Sequence, residues 1–194
     1  MKSSGLKRSE ETGMPGDAGL HEEKRAPILI LGVGNILLMD EGVGIRAVEQ
    51  LEKRYAFSDD VELLDGGTSG IELLRYICDR EYLMIIDAIK SGHPPGTVLR
   101  VEGEDVPKKF MTRISPHQIG LSDLLAAALL TDELPDHMLL LGVEPGSMEM
   151  KLGLTREVAA AMDKLIDTVV GELRRLGCDV RPRQGAAASG SFWE

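Results

Sequence analysis

The spacing of apolar residues alternates between two kinds of segment along the chain. Short apolar-rich runs are typical of strands covered on both faces of a sheet. They predict strands over 27–33, 61–67, 82–89, 96–103 and 137–144. Apolar residues at helical spacing predict helices over 41–55, 70–79, 121–130 and 155–177, the last with Thr155 as its N-cap. The alternation predicts an α/β fold, a three-layer sandwich in which a five-stranded, mostly parallel, twisted sheet has helices on both faces.

The link between the third and fourth predicted strands is short. It consists of "KSGHPPG" and has no room for a helical crossover. We therefore expect these two strands to form an antiparallel hairpin within an otherwise parallel sheet.

Both ends of the chain differ in composition from its middle. Residues 1–26 and 182–194 lack apolar periodicity, so they cannot bury enough surface to offset the entropy of ordering. They are predicted to be disordered tails. Residues 27–181 then form a single α/β domain, which is a normal size for one hydrophobic core.

Charge and cysteine usage exclude several functional classes. The formal net charge of −10 argues against binding to nucleic acid or to an anionic membrane. Neither a transmembrane run nor a secretory signal is recognisable, and the two cysteines show no CxxC spacing. These features predict a cytoplasmic, monomeric protein whose partners are proteins or small molecules.

A glycine-rich turn follows the first predicted strand, in "GVGNILLMDEGVG". It resembles a dinucleotide-binding turn, but Leu37 occupies the position of the third glycine, and Asp40 and Glu41 would repel a phosphate. Asp65, at the end of the second strand, keeps a nucleotide-binding alternative open because ribose-binding acids occupy that position. The simplest structural interpretation of Asp40 and Glu41 is helix capping.

Further polar groups are predicted at the carboxyl ends of the strands, where α/β proteins bind ligands. Asp87 ends an apolar run, and an ionised group there needs a positive partner or a cation. His117 lies in a predicted loop, "SPHQ". Together with Glu41 these residues form a mixed oxygen and nitrogen set that suits nickel or zinc.

The segment Asp65–Gly66–Gly67–Thr68 has two interpretations. Its glycines permit a tight turn, and Thr68 or Ser69 could cap the following helix. The alternative is a substrate-recognition loop beside the metal site. Neither an HExxH nor a GxSxG motif is present in the sequence, which argues against a zincin or an α/β-hydrolase.

Five blocks taken together resemble the hydrogenase maturation proteases, most closely the type that processes the large subunit of uptake hydrogenase 2. The blocks are "LILGVGNILLMDEGVGIRAVEQL", "LLDGGTSGIELL", "YLMIIDAI", "SPHQIGLSDLL" and "LLGVEPGSMEMKLGLT". They occur in the family's order and cover about residues 28 to 180.

The resemblance implies an endopeptidase that removes a C-terminal extension from the large-subunit precursor of nickel-iron hydrogenase after nickel insertion. It implies that Glu41, Asp87 and His117 are both the metal-contacting and the catalytic residues. The nickel is expected to arrive with the precursor, other divalent metals could occupy the site, and no organic cofactor is expected.

Two other functions remain as alternatives. One is a non-enzymatic nickel-handling assembly factor with the same metal groups, and the other is a Rossmann-like nucleotide-binding protein. A loss of mass from a nickel-loaded precursor would distinguish the protease from the assembly factor.

Overall fold

The predicted α/β sandwich is present in the computed structural model, which describes residues 25–111 and 116–183 without the side chains of residues 111–119. The strands are β1 (Ile28–Val33), β2 (Tyr55–Phe57), β3 (Val61–Gly67), β4 (Tyr82–Ala88), β5 (Val98–Glu102), β6 (His137–Val143) and β7 (Val180–Pro182). The helices are α1 (Val43–Arg54), α2 (Leu74–Ile77), α3 (Asp105–Met111), α4 (Pro116–Leu130) and α5 (Arg156–Arg175). The two predicted tails lie almost entirely outside the described residues.

Five strands form the central sheet in the order β3-β1-β4-β6-β5. The first four are parallel, and β5 runs antiparallel at one side. Because β1, β4 and β6 are apolar at almost every position, they are buried on both faces, as expected for central parallel strands. Because β1, β3, β4 and β6 are parallel, their carboxyl ends lie on one side of the molecule, which we call the carboxyl end of the sheet.

Strand alternation divides the core into two layers. Residues such as Ile30, Met84 and Leu141 pack with α1 and α5 on one face. Their neighbours Leu31 and Ile85 face α2, α3 and α4 on the other. The three-layer sandwich predicted from the sequence is confirmed.

The predicted hairpin between the third and fourth strands is wrong. β4 lies between β1 and β6, so neither of its sides is free, and β5 pairs antiparallel with β6 instead. The linker carries the chain past the end of β6, where the Ile89 amide donates to the Val143 carbonyl at 2.7 Å and the Gly96 amide donates to the Glu144 carbonyl at 2.8 Å. Backbone amides at both ends of the short linker are thus hydrogen-bonded to carbonyl groups at the end of β6 and directly after it.

Several helix boundaries also differ from the prediction. Helix α4 begins at Pro116 rather than at residue 121, so the backbone of His117 is helical and the predicted loop is wrong at that residue. Proline is well accommodated at the start of a helix because the first amides have no intrahelical acceptor. Helix α1 ends at Arg54, and the next residues form β2, which pairs with β7 in a small antiparallel sheet. None of the helices in the described ranges is long and apolar enough to span a bilayer.

Candidate metal and substrate site

The turn after β1 and the start of α1 pack tightly against the sheet, and one glycine in each has no room for a side chain. Gly34 has a φ of +133°, and a Cβ there would lie 1.8 Å from the Glu41 carbonyl oxygen. A Cβ on Gly44 would lie 2.1 Å from the carbonyl oxygen of Ile86 in β4. Glycine at both positions therefore lets the acidic turn and the start of α1 rest on the ends of β1 and β4.

Two of the predicted metal-contacting residues lie at the carboxyl end of neighbouring strands. Glu41, in the 3₁₀ turn Met39–Gly42, is only 4% exposed, and Asp87, the penultimate residue of β4, is fully buried. The 3₁₀ turn contacts β4, and the Ala88 amide donates to Asp87 Oδ1 at 2.7 Å. The structure thus brings both carboxylates to one side of the sheet and removes them from water.

His117 belongs to the first turn of α4. That end of the helix packs against the loop after β3, since a Cβ on Gly70 would lie 2.9 Å from the Gly120 Cα. The His117 side chain is outside the described residues, so its approach to the two acids stays a prediction. Within the described residues no group of three or more His, Cys, Asp or Glu side chains is arranged to hold a metal.

Asp40 has a structural role that the sequence did not reveal. It is fully buried and accepts hydrogen bonds from the amides of Gly146 at 2.8 Å and Ser147 at 3.0 Å. It also accepts from the Thr155 amide at 2.6 Å and the Thr155 hydroxyl at 2.8 Å. Asp40 therefore fastens the β1–α1 turn, which contains Glu41, to the loop between β6 and α5.

The capping interpretations need correction. Gly42 is the N-cap of α1, and no side chain caps that helix, so Asp40 is not a cap for the helix it precedes. Thr155 is at the N-cap of α5 as predicted, but its hydroxyl makes no capping bond and donates to Asp40 instead. The Asp40 carboxylate is buried and so requires hydrogen-bond donors. They come from Gly146, Ser147 and Thr155, between β6 and α5.

The glycine-rich carboxyl end of β3 and the residue after it hold the residues proposed to recognise substrate. Asp65 and Thr68 are exposed, whereas Gly66 is buried. Asp65 Oδ1 accepts a hydrogen bond from the Gly67 amide at 2.8 Å, and the Gly34 amide donates to the Gly67 carbonyl at 2.9 Å. The turn is thereby attached to the β1–α1 turn.

The predicted cap by Thr68 or Ser69 is wrong, because Gly70 is the N-cap of the following 3₁₀ turn, Ile71–Leu73, and no side chain caps it. The Thr68 side chain is thus not required for helix capping. Its exposure at the carboxyl end of the sheet is compatible with the alternative interpretation, a contact with substrate.

Another buried acid, Glu144, was not singled out in the sequence. It follows β6 directly, and its Oε2 accepts hydrogen bonds from the Ser91 amide at 2.7 Å, the Ser91 hydroxyl at 2.5 Å and the His93 amide at 3.3 Å. Burial raises the pKa of the Glu144 carboxyl, but bonds from Ser91, His93 and Gly92 outweigh it and leave the pKa below its ordinary value. Glu144 could have been found in the sequence, because an acid at the end of an apolar run had already indicated Asp87.

The fold agrees with comparisons to known proteins. Residues 45–172 match the family HycI, hydrogenase maturation protease. The hydrogenase 2 maturation protease of Escherichia coli K12 is 48% identical over 158 residues, which cover 81% of this chain and 96% of that protein. The HupM hydrogenase expression/formation protein of Azotobacter chroococcum is 42% identical over 82% of this chain and 78% of its own length.

Solved structures give the same result. The hydrogenase maturating endopeptidase HybD from E. coli aligns with a TM-score of 0.78 at 47% identity, over 82% of this chain and 99% of that one. HybD from Thermococcus kodakarensis aligns with a TM-score of 0.63 at 28% identity, over 75% and 97%. The fold is that of an α/β peptidase. The chain belongs to the hydrogenase maturation proteases, and it is an endopeptidase.

Proposed function

We propose that this endopeptidase removes the C-terminal extension of a nickel-iron hydrogenase large-subunit precursor once nickel has been inserted, and that Glu41, Asp87 and His117 contact that nickel. The observation that supports the proposal is the burial of Glu41, in the 3₁₀ turn that contacts β4, and of Asp87, near the carboxyl end of β4. A carboxylate held away from water gains much from a nearby cation, which offsets its lost hydration.

The donor chemistry supports nickel as the ion that is sensed. Two carboxylates and an imidazole offer oxygen and nitrogen ligands, which suit divalent transition metals, and zinc or a similar ion would fit the same groups. Because the nickel is carried by the precursor, a precursor without nickel presents no metal to these side chains. Cleavage then acts as a checkpoint for nickel insertion.

The same groups can serve the hydrolytic step. Glu41 or Asp87 can accept a proton from the attacking water, and a metal ion beside them can polarise the scissile carbonyl or serve only as an anchor for recognition. The segment Asp65–Gly66–Gly67–Thr68, in which Asp65 and Thr68 are exposed, lies at the carboxyl end of β3 and is proposed to select the precursor.

We also propose that residues 27–181, with Pro182 at the end of β7, form the protease domain between two terminal tails, and that it acts in the cytoplasm as a monomer. Cys78 and Cys178 are free thiols, which suits a reducing compartment. A chain truncated to begin at Ala26 should process precursor as the full chain does. Loss of processing on this truncation would contradict the proposed domain.

The test of the proposed function is incubation of the chain with nickel-loaded and nickel-free precursor, followed by intact-mass measurement. We expect the nickel-loaded precursor alone to lose the mass of its C-terminal peptide. Cleavage of both forms would refute nickel sensing, and an unchanged mass in both would support a non-enzymatic assembly factor. Asp136→Asn provides a control, because this exposed aspartate lies before β6, at the opposite end of the sheet.

A further inference from the structure

Large apolar side chains that face solvent are unevenly distributed over the described part of the chain. They are Leu37, Ile71, Leu129, Leu130, Met150 and Leu152. Four of them lie on loops that follow the carboxyl ends of β1, β3 and β6, whereas Leu129 and Leu130 end α4 at the opposite side. The end of the sheet with the buried acids therefore also carries most of this exposed apolar surface.

Three of these side chains are held together by the backbone. Leu38 and Lys151 form a parallel β-bridge, and the Met39 amide donates to the Lys151 carbonyl at 3.0 Å. In this parallel register Leu37, 55% exposed, lies opposite Met150, 87% exposed, and Leu152, 65% exposed, lies opposite Met39. We call Leu37, Met150 and Leu152 the apolar rim.

The apolar rim is continuous with the candidate active site. Leu37 lies in the same turn as Glu41, and the loop that carries Met150 and Leu152 is the one fastened to Asp40 through Gly146, Ser147 and Thr155. The Asp40 amide also donates to the Ser147 carbonyl at 3.2 Å. These bonds hold the rim in a fixed position relative to Glu41, so its contact surface is formed before a partner binds.

We propose that the apolar rim is a docking surface for an apolar segment of the precursor protein next to the bond that is cut. This inference rests on the proposed function, because it takes the hydrogenase precursor as the partner. Contiguous exposed apolar residues mark interaction surfaces, and their continuity with Glu41 favours the substrate as the occupant. Burial of leucine and methionine side chains on docking supplies affinity for an apolar segment.

The test compares two double variants. Leu37→Ser with Leu152→Ser removes two of the three rim side chains, and Leu129→Ser with Leu130→Ser removes an exposed pair at the far end of the sheet. Each is assayed for kcat and KM on nickel-loaded precursor. Equilibrium binding is measured with nickel-free precursor, which the proposed function expects to remain uncleaved, so that affinity is observed without cleavage and with Glu41, Asp87 and His117 intact.

We expect the rim variant to raise both Kd and KM by about tenfold or more with kcat unchanged, because the lost contacts bind substrate and transition state equally. The control pair should change neither. Equal effects of both pairs, an unchanged Kd, or undetectable binding by the chain with an intact rim would overturn the proposal. So would a dimer of the chain, seen by sedimentation, that dissociates in the rim variant.

The equilibrium-binding measurement distinguishes failure of this inference from failure of the proposed function. Rim-dependent binding without any cleavage of nickel-loaded precursor would refute the protease function and leave the docking surface standing. Nickel-dependent cleavage that is unaffected by the rim variant would support the protease function and refute the docking surface.

Discussion

Asp40 and Thr155 are joined by two hydrogen bonds, from the Thr155 amide to Oδ1 at 2.6 Å and from its hydroxyl to Oδ2 at 2.8 Å. They connect the turn after β1 to the start of α5 across more than half of the chain. The carboxylate next to the candidate metal residue Glu41 is thus a fixed point between two loops.

The first prediction concerns this fixed point. Asp40→Asn keeps the size of the side chain but turns an amide donor toward backbone amides that need an acceptor, so we expect the free energy of unfolding to fall by about 2–3 kcal/mol. Urea denaturation measures it. Thr155→Val should cost about 1 kcal/mol, because the amide bond survives. Asp136→Asn, an exposed change, should be neutral, and full stability of Asp40→Asn would contradict the assigned role.

The second prediction concerns the proposed metal-contacting residues. Glu41→Gln, Asp87→Asn and His117→Ala should each lower processing of nickel-loaded precursor by at least about 100-fold, because each removes a metal ligand or a proton acceptor. Circular dichroism should show an intact fold, since no change removes core volume. His137→Ala, at the exposed start of β6, is the matched control for the histidine. Normal processing by any of the three would remove that residue from the site.

The third prediction separates recognition from catalysis. Asp65→Asn retains an oxygen that can accept from the Gly67 amide, so the turn should persist while the exposed charge is lost. We expect Asp65→Asn and Thr68→Ala to change the ratio of kcat/KM between two different precursors and to leave kcat on the preferred one within about threefold. Unaltered selectivity in both variants would contradict a recognition role.

The fourth prediction is a pH dependence of stability that arises away from the site. Glu172 in α5 is bonded to Arg175 at 2.6 Å, to the Tyr82 hydroxyl at 2.7 Å and to Arg100 at 3.1 Å. The Arg175 bond is the main cause that lowers the pKa of Glu172 to about 2; burial opposes it, and Tyr82 and Arg100 assist. Burial raises the pKa of Tyr82, as does its bond to Glu172, so the phenol remains a donor.

Since the pKa of Glu172 is lower in the folded chain, its contribution is complete above the ordinary glutamate pKa and is lost as the pH falls from about 4.5 toward 2. We expect Glu172→Gln to remove about 2 kcal/mol of stability at pH 7 and to flatten the decline in this interval. Chemical denaturation at several pH values measures both. Glu157→Gln, an exposed change in the same helix, should keep the decline of the wild type; a decline of the same size in Glu172→Gln would refute the assignment.

Local pattern predicted the layers of the fold because the central strands are apolar throughout. Ile30 and Met84 must be covered on their face and Leu31 and Ile85 on the other, and only helices on both sides of a sheet achieve this. The partner of β5 could not be predicted in the same way. It depends on which side of β6 is free once the parallel strands have assembled, and sequence distance carries no information about that.

In the candidate site, too, some residues could be predicted from the sequence and others could not. Asp87 could be found because an acid at the end of a buried run has a high solvation cost, which the sequence displays. Asp40 could not be distinguished from a helix cap, because its donors Gly146, Ser147 and Thr155 are more than 100 residues away. The apolar rim was equally hidden, since Leu37 meets Met150 only through a long-range β-bridge.

The most direct test of the central claim is a crystal structure of the chain soaked with a divalent zinc or nickel salt, with the ion located by anomalous scattering. We predict one ion at the carboxyl end of the sheet, with a carboxylate oxygen of Glu41, a carboxylate oxygen of Asp87 and a ring nitrogen of His117 each at about 2.0–2.2 Å. An ion held by other residues, or a His117 ring directed away from the two acids, would contradict the account.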